Sequence, residues 1–203
     1  MTALVDYGAG NLASVRKALR ACGADVVEPE GPAGLDAASA IVLPGVGHFA
    51  ATASLDGPWR EAIRRRLEAG VPFLGICLGM QWLFEGSDEA PSVGGLGWLP
   101  GRIARLPDRT PDGRRVKVPH AGWNVARVTA RDQPVPGLRD GAYFYFTHAY
   151  AAPVTAATAA VTAYGTTFAS AVRLGNVCGV QFHPEKSGDD GLAVLRAFLG
   201  GAR

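Results

Sequence analysis

The 203 residues suit one domain with a sizeable core, and 48% hydrophobic with 19% charged residues is ordinary for a folded globular protein. A formal charge of +2 argues against a nucleic-acid-binding design, and 3 widely spaced cysteines (Cys22, Cys77, Cys178) with no CxxC pair argue against a disulfide framework or structural zinc. No basic leader precedes a long apolar stretch and no apolar run nears the roughly 18 residues of a membrane span, so a cytoplasmic chain without metal or membrane contact is expected.

Residues 2–6 read as a short apolar strand ending in Asp6-Tyr7-Gly8-Ala9-Gly10-Asn11. Leu12, Val15, Leu19 and Cys22 then recur at helical spacing, Gly23 stops that helix, and 25–27 gives a second strand. This β-loop-α-β order opens a parallel α/β sheet. Gly8-x-Gly10 is only a partial dinucleotide fingerprint, since Ala13 stands where its third glycine belongs. Residues 40–43 form a buried strand that runs into Pro44-Gly45-Val46-Gly47-His48-Phe49. Glycines around one valine at a strand end let a peptide unit take unusual dihedrals or flip, although a plain tight turn would read alike. His48 is given no chemistry. A helix over 59–69 carries Arg64-Arg65-Arg66 on a solvated face, and Gly70 stops it.

The centre of the chain is Phe73-Leu74-Gly75-Ile76-Cys77-Leu78-Gly79-Met80-Gln81, a strand-length apolar run meeting Gly-x-Cys-x-Gly and passing into a helix over 78–84. That grammar is a nucleophile elbow, with small residues two before and two after the reactive one. The helix N-terminus attracts negative charge at the sulfur, and the Leu78 N–H can face an oxyanion. A buried structural cysteine between packing glycines is the competing reading. The loop 85–91 is acidic and suits either a substrate amino group or solvent. From 99 to 129 short runs at 102–106, 115–118 and 123–128, broken by Pro and Gly, suggest antiparallel strands. An aromatic strand follows at 143–150, then strands at 156–164, 168–174 and 177–182, the last two joined by Gly175-Asn176 as a hairpin. A closing helix spans 192–199. His183 and Glu185 sit two apart with Pro184 between them, an extended spacing that puts an imidazole and a carboxylate on one side. Strand ends of an α/β sheet gather along one edge, so Cys77, the 44–47 turn and His183 can converge into a Cys-His-Glu triad; a surface pair is the plain alternative.

Gly75-Ile76-Cys77-Leu78-Gly79-Met80-Gln81 together with His183-Pro184-Glu185 resembles the class I, or triad, glutamine amidotransferases. Further runs narrow the match: Asp6-Tyr7-Gly8-Ala9-Gly10-Asn11, Pro44-Gly45-Val46-Gly47, Pro119-His120-x-Gly122-Trp123-Asn124, Tyr145-Phe146-x-His148-x-Tyr150 and His183-Pro184-Glu185-Lys186-Ser187. In this order they look like one branch of that family, the glutaminase subunits of imidazole glycerol phosphate synthase. The resemblance covers essentially the whole chain and implies a single class I domain over 1–203. The implied fold is α/β, a mostly parallel sheet flanked by helices, with an antiparallel β extension.

The resemblance implies a glutaminase that releases ammonia through Cys77, His183 and Glu185, with no cofactor. It implies oxyanion contacts from Val46, Gly47 and Leu78, and glutamine held by Gly45, Gln81, Glu89, His148, Ala149 and Tyr150. At Ala149 the family usually has Ser or Thr, so any contact there is expected through the main chain. The implied partner is the synthase (cyclase) subunit, a (β/α)8 barrel bound as a heterodimer, with Asn11, Trp123, Tyr145 and Lys186 facing it. A glutaminase serving another synthase (anthranilate or pyridoxal phosphate), a lone Cys peptidase or amidase and a catalytically silent partner-binding subunit are the alternatives.

Overall fold

The computed structural model describes residues 1–130 and 132–201. Strand β1 (Thr2–Leu4), helix α1 (Leu12–Ala21) and strand β2 (Val26–Val27) form the expected opening unit. The side chain of Asn11 accepts from the Ser14 N–H at 3.4 Å and so caps α1. Val15, Ala18 and Leu19 recur three and four apart and bury one face of that helix. Gly23, at φ +86°, ends it. Strand β3 (Ala40–Leu43), helix α2 (Pro58–Glu68), strand β4 (Phe73–Ile76) and the short helix α3 (Leu78–Trp82) follow.

The second half is mostly β: β5 (Gly86–Ser87), β6 (Arg102–Arg105), β7 (His120–Val125), β8 (Arg127–Val128), β9 (Tyr143–His148), β10 (Tyr150–Ala151), β11 (Thr158–Tyr164), β12 (Thr166–Leu174) and β13 (Val177–Val180). Helix α4 (Gly188–Gly200) closes the chain. The main sheet has 8 strands in the order β2-β1-β3-β4-β13-β12-β11-β8. Its strands are parallel from β2 through β13, and antiparallel beyond. Smaller sheets order as β10-β6-β5 and β7-β9.

Residues on β4 explain why this sheet is covered on both faces. Leu74 and Ile76 pack into one core with α1 and α4, while Phe73 packs into a second with Ile63 and Leu67 of α2. Continuous apolar runs of this kind belong to parallel strands buried on both sides. Each fully buried Leu or Phe contributes about 1.5–3 kcal/mol. The register then decides where function sits. Leu43 pairs with Gly75 and Ile76 with Val180, so β3, β4 and β13 end level, and the segments after them leave the sheet at one edge.

Several sequence expectations shift. Residues 115–118 make no strand. Thr110 N–H bonds to the Arg114 carbonyl and Val116 N–H to the Asp108 carbonyl, so the chain doubles back around Gly113 instead. The 123–128 run divides at Ala126 into β7 and β8, which join different sheets. The 143–150 strand likewise divides at Ala149, because β9 pairs with β7 and β10 with β6. Gly165, at φ +72°, makes the tight turn between β11 and β12, so the 168–174 strand begins two residues earlier. The closing helix begins at Gly188, with Asp189 and Asp190 in its first turn, where carboxylates favour a helix N-terminus.

Candidate active site

Cys77 follows β4 directly and has φ +54°, the sole non-glycine among the described residues in the left-handed region. Such a conformation costs on the order of 1–3 kcal/mol and persists only where its surroundings force it. The flanking glycines do the forcing. A Cβ on Gly75 would lie 2.7 Å from the Gly79 carbonyl carbon and oxygen, and one on Gly79 would lie 1.9 Å from the Leu43 oxygen. The strand-to-helix turn therefore closes only with glycine at both places, and it leaves Cys77 at the sheet edge, 5% exposed.

His183 and Glu185 follow β13 to the same edge. His183 Nδ1 lies 2.9 Å from Glu185 Oε1, with both side chains buried. The pairing is as expected, but its backbone is not. Pro184–Lys186 form a 3-10 turn closed by a Lys186 N–H to His183 carbonyl bond, where an extended backbone was expected. Proline suits the first residue of a helical turn as well as an extended one. Burial alone would lower His183, but Cys77 and then Glu185 outweigh it and hold the ring well above its ordinary value. His183 Nε2 has no hydrogen-bond partner among the described residues.

Gln181 was not anticipated. Its Nε2 lies 3.5 Å from Cys77 Sγ, and its Oε1 accepts from Gln81 Nε2 at 3.0 Å. Gln81 Nε2 also donates to the Tyr150 carbonyl at 2.9 Å, so this side chain braces the site as well as lining it. A glutamine inside an apolar strand, two residues before a histidine, was the available signal.

The expected oxyanion donors are not assembled. The Leu78 N–H points at the Gly45 carbonyl oxygen, 3.3 Å away. Val46 N–H belongs to that same peptide and therefore faces the opposite way. Gly47 is at φ +100°, a geometry open to glycine. Gly47, Cys77, Leu78, Gln81, Glu89 and 147–150 enclose a cavity of only about 40 Å³. Glu89 accepts the Phe49 N–H at 2.8 Å. His148 is buried with both ring nitrogens engaged, Nε2 to His120 and Nδ1 to the Tyr150 carbonyl, so its ring braces the cavity wall. The Ala149 carbonyl is taken by the Leu106 N–H at 2.8 Å. Two larger hollows, of about 650 and 680 Å³, contain none of these residues.

An exposed aromatic face lies beside the site. Trp123, 57% exposed, meets the Tyr145 ring edge-to-face at 6.2 Å, and Lys186 Nζ sits 5.8 Å from that ring. Tyr143, 58% exposed, extends the face and was missed by the sequence reading. The Tyr145 carbonyl accepts the His183 N–H at 2.9 Å, and its N–H donates to Ser187 Oγ at 3.0 Å. Asn11 caps α1 and sits on the loop whose Gly10 approaches Pro44 and Gly45.

Comparison with known proteins places this geometry. The family model of glutamine amidotransferase class-I matches residues 3–200. The imidazole glycerol phosphate synthase subunit HisH of Methanothermobacter thermautotrophicus is 46% identical over 201 residues, covering 98% of each chain. The subunit of the same name from Natronomonas pharaonis is 47% identical over 205 residues, covering 97% of this chain and 92% of its own. A solved structure described as a crystal structure of glutamine amidotransferase superposes with a TM-score of 0.73 at 23% identity, over 98% of both chains.

Proposed function

Because the chain belongs to the class I glutamine amidotransferase family, we propose that it is the glutaminase subunit of imidazole glycerol phosphate synthase, working as one domain over 1–203. The observation that carries the chemistry is the elbow cysteine at the same sheet edge as a buried His183–Glu185 pair, 2.9 Å apart.

In this reading Cys77 Sγ attacks the carboxamide carbon of glutamine, and its proton passes to His183. The tetrahedral oxyanion is held by the Leu78 N–H and by an N–H of the 45–47 turn. His183 then protonates the departing ammonia, leaving a glutamyl thioester. Water attacks that thioester with His183 taking its proton, and glutamate leaves. Glu185 holds the ring with its proton on Nδ1, so that Nε2 faces the sulfur. The α-ammonium of glutamine fits the carboxylate of Glu89.

Two features of the resting site need to change first. The Gly45 carbonyl must leave the Leu78 N–H, and the cavity of about 40 Å³ must widen, since that volume suits a few waters. A turn of the Gly45–Val46 peptide would do the former and present Val46 N–H to the oxyanion. One such donor is worth roughly 10²–10³ in kcat. The free chain is therefore a slow glutaminase, and docking of the partner is the event that releases it. The Trp123–Tyr145–Lys186 face suits a synthase (cyclase) subunit with a (β/α)8 fold, which receives the ammonia and forms imidazole glycerol phosphate and aminoimidazole carboxamide ribotide. Exposed Trp and Tyr are frequent binding anchors.

The test is ammonia release from glutamine by wild type and Cys77→Ala, each alone and with the barrel subunit and its nucleotide substrate. Strong stimulation that Cys77→Ala abolishes is expected. Equal turnover without any partner would overturn the assignment.

A further inference from the structure

A file of hydrogen-bonded side chains crosses the molecule from β7 to the nucleophile. At its outer end Asn124 Oδ1 accepts the Val125 N–H at 2.8 Å, while Nδ2 lies 3.1 Å from the Ala163 carbonyl and 3.3 Å from His120 Nε2. The two main-chain contacts fix which end of the amide is which, because an N–H needs the oxygen and a carbonyl needs the NH2. His120 Nε2 must then accept, which puts the proton of that ring on Nδ1. That nitrogen lies 3.1 Å from His148 Nε2. His148 Nε2 accepts in turn, so its own proton sits on Nδ1, donated to the Tyr150 carbonyl at 2.8 Å.

Nothing in this chain is free to reverse. The His120 ring is stacked on Tyr164 at 3.9 Å and on Phe146 at 4.8 Å. Burial holds His120 down to about 4, and burial above all holds His148 down to about 3, so both rings are neutral at physiological pH. The Tyr150 carbonyl also receives Gln81 Nε2, which reaches Gln181 and through it the Cys77 sulfur.

We propose that His120 and Asn124 are positioning residues for glutamine hydrolysis, fixing His148 as an Nδ1–H donor that clamps the Tyr150 carbonyl and with it the 148–150 wall of the cavity. The proposal rests on the glutaminase reading above. His148 in its other tautomer would set a lone pair against the Tyr150 oxygen, two acceptors facing one another in a buried place. The clamp matters more here because residue 149 is alanine. With no hydroxyl at that position, residue 149 can hold substrate only through its main-chain groups, whose direction must be set before glutamine arrives.

Two measurements test it. Long-range 1H–15N correlation spectra of the 15N-labelled full chain, assigned with single histidine substitutions, read the protonation of each ring nitrogen. His120 and His148 are both expected as Nδ1–H at neutral pH, although free histidine prefers Nε2–H. An Nε2–H form of either ring overturns the proposal, and this spectrum needs no variant of those rings' neighbours to fold. The second measurement is steady-state kinetics in the complex with the synthase partner. His120→Phe keeps a stacked ring without nitrogens and is expected to raise KM for glutamine roughly tenfold with kcat within about twofold. His120→Gln can still accept from Asn124 and donate to His148, and is expected to restore KM. An unchanged KM in His120→Phe, with wild type active, overturns the positioning role alone. A wild-type complex that releases no ammonia overturns the glutaminase reading itself.

Discussion

Gly45→Ala isolates the turn on which the proposed activation depends. The added Cβ would lie 2.0 Å from Tyr7 Oη, 2.7 Å from Leu78 Cβ and 3.2 Å from Gly79 N. The tyrosine tip is the end of a side chain and can yield a little, but Leu78 and Gly79 belong to the elbow and move only with Cys77. Overpacking of this kind costs about 1–3 kcal/mol. For a chain of this size each kcal/mol lowers Tm by about 2–4 °C. The larger consequence is for catalysis, since a displaced Leu78 N–H and a blocked Gly45–Val46 peptide together remove oxyanion donors worth roughly 10²–10³ in kcat. Ammonia release in the complex, with the nucleotide substrate present, is therefore expected to fall at least about a hundredfold, while thermal denaturation of the free chain shows only the modest loss. Tyr7→Phe separates the two effects. Its hydroxyl is buried without a hydrogen-bond partner among the described residues, so removing it alone is expected to be neutral or slightly stabilising. In the double variant part of the stability returns, a coupling of about 0.5–3 kcal/mol, but activity does not, because the contact with Leu78 remains. Stimulated turnover of Gly45→Ala within threefold of wild type would refute the reasoning.

Three other outcomes follow from the same geometry. His120 and His148 have folded-state values of about 4 and about 3, below the ordinary histidine value, so the unfolded chain takes up their protons first as the pH falls. Stability in denaturant titrations is thus expected to drop by about 2 kcal/mol per ring between pH 7 and pH 5, and a flat profile would contradict the burial of the pair. His183 acts in the opposite sense, its contribution being complete below the unfolded value and fading as the pH climbs through its raised folded value. Trp123→Ala should leave Tm alone, because the side chain is mostly exposed, yet weaken partner binding by about 2 kcal/mol, some thirtyfold by calorimetry. Glu89→Gln should raise KM for glutamine about ten- to hundredfold with little change in kcat, and an unaltered KM would remove Glu89 from substrate binding.

Much of this was legible in the residues because some positions admit a single solution. Gly75 and Gly79 flank a cysteine in a turn where any Cβ strikes main chain, so the Gly-x-Cys-x-Gly spacing carries the elbow, although a buried structural cysteine reads alike until His183 and Glu185 are added. Apolar runs at 40–43 and 73–76 declared a parallel sheet, and level strand ends brought Cys77 and His183 to one edge. What stayed hidden depended on partners far along the chain. His120 and His148 each read as an isolated histidine, and become neighbours only through the β7–β9 register that sets them opposite one another. Gln181 passed for a strand residue because nothing local says that Gln81 and Cys77 lie beside it. The direction of the Gly45–Val46 peptide was unreadable for the opposite reason. Glycine tolerates both directions, and the choice is made by which group competes for the Leu78 N–H.

That occupied N–H has a consequence at the scale of the cell. Under the proposed function, a subunit whose oxyanion donor is already satisfied by its own backbone turns glutamine over slowly when made in surplus. On that reading, unequal synthesis of the glutaminase and its proposed synthase partner wastes protein but spares the glutamine pool, and ammonia is not set loose in proportion to the unpaired copies. Matching the supply of nitrogen to demand is left to assembly, which no adjustment of gene expression has to imitate.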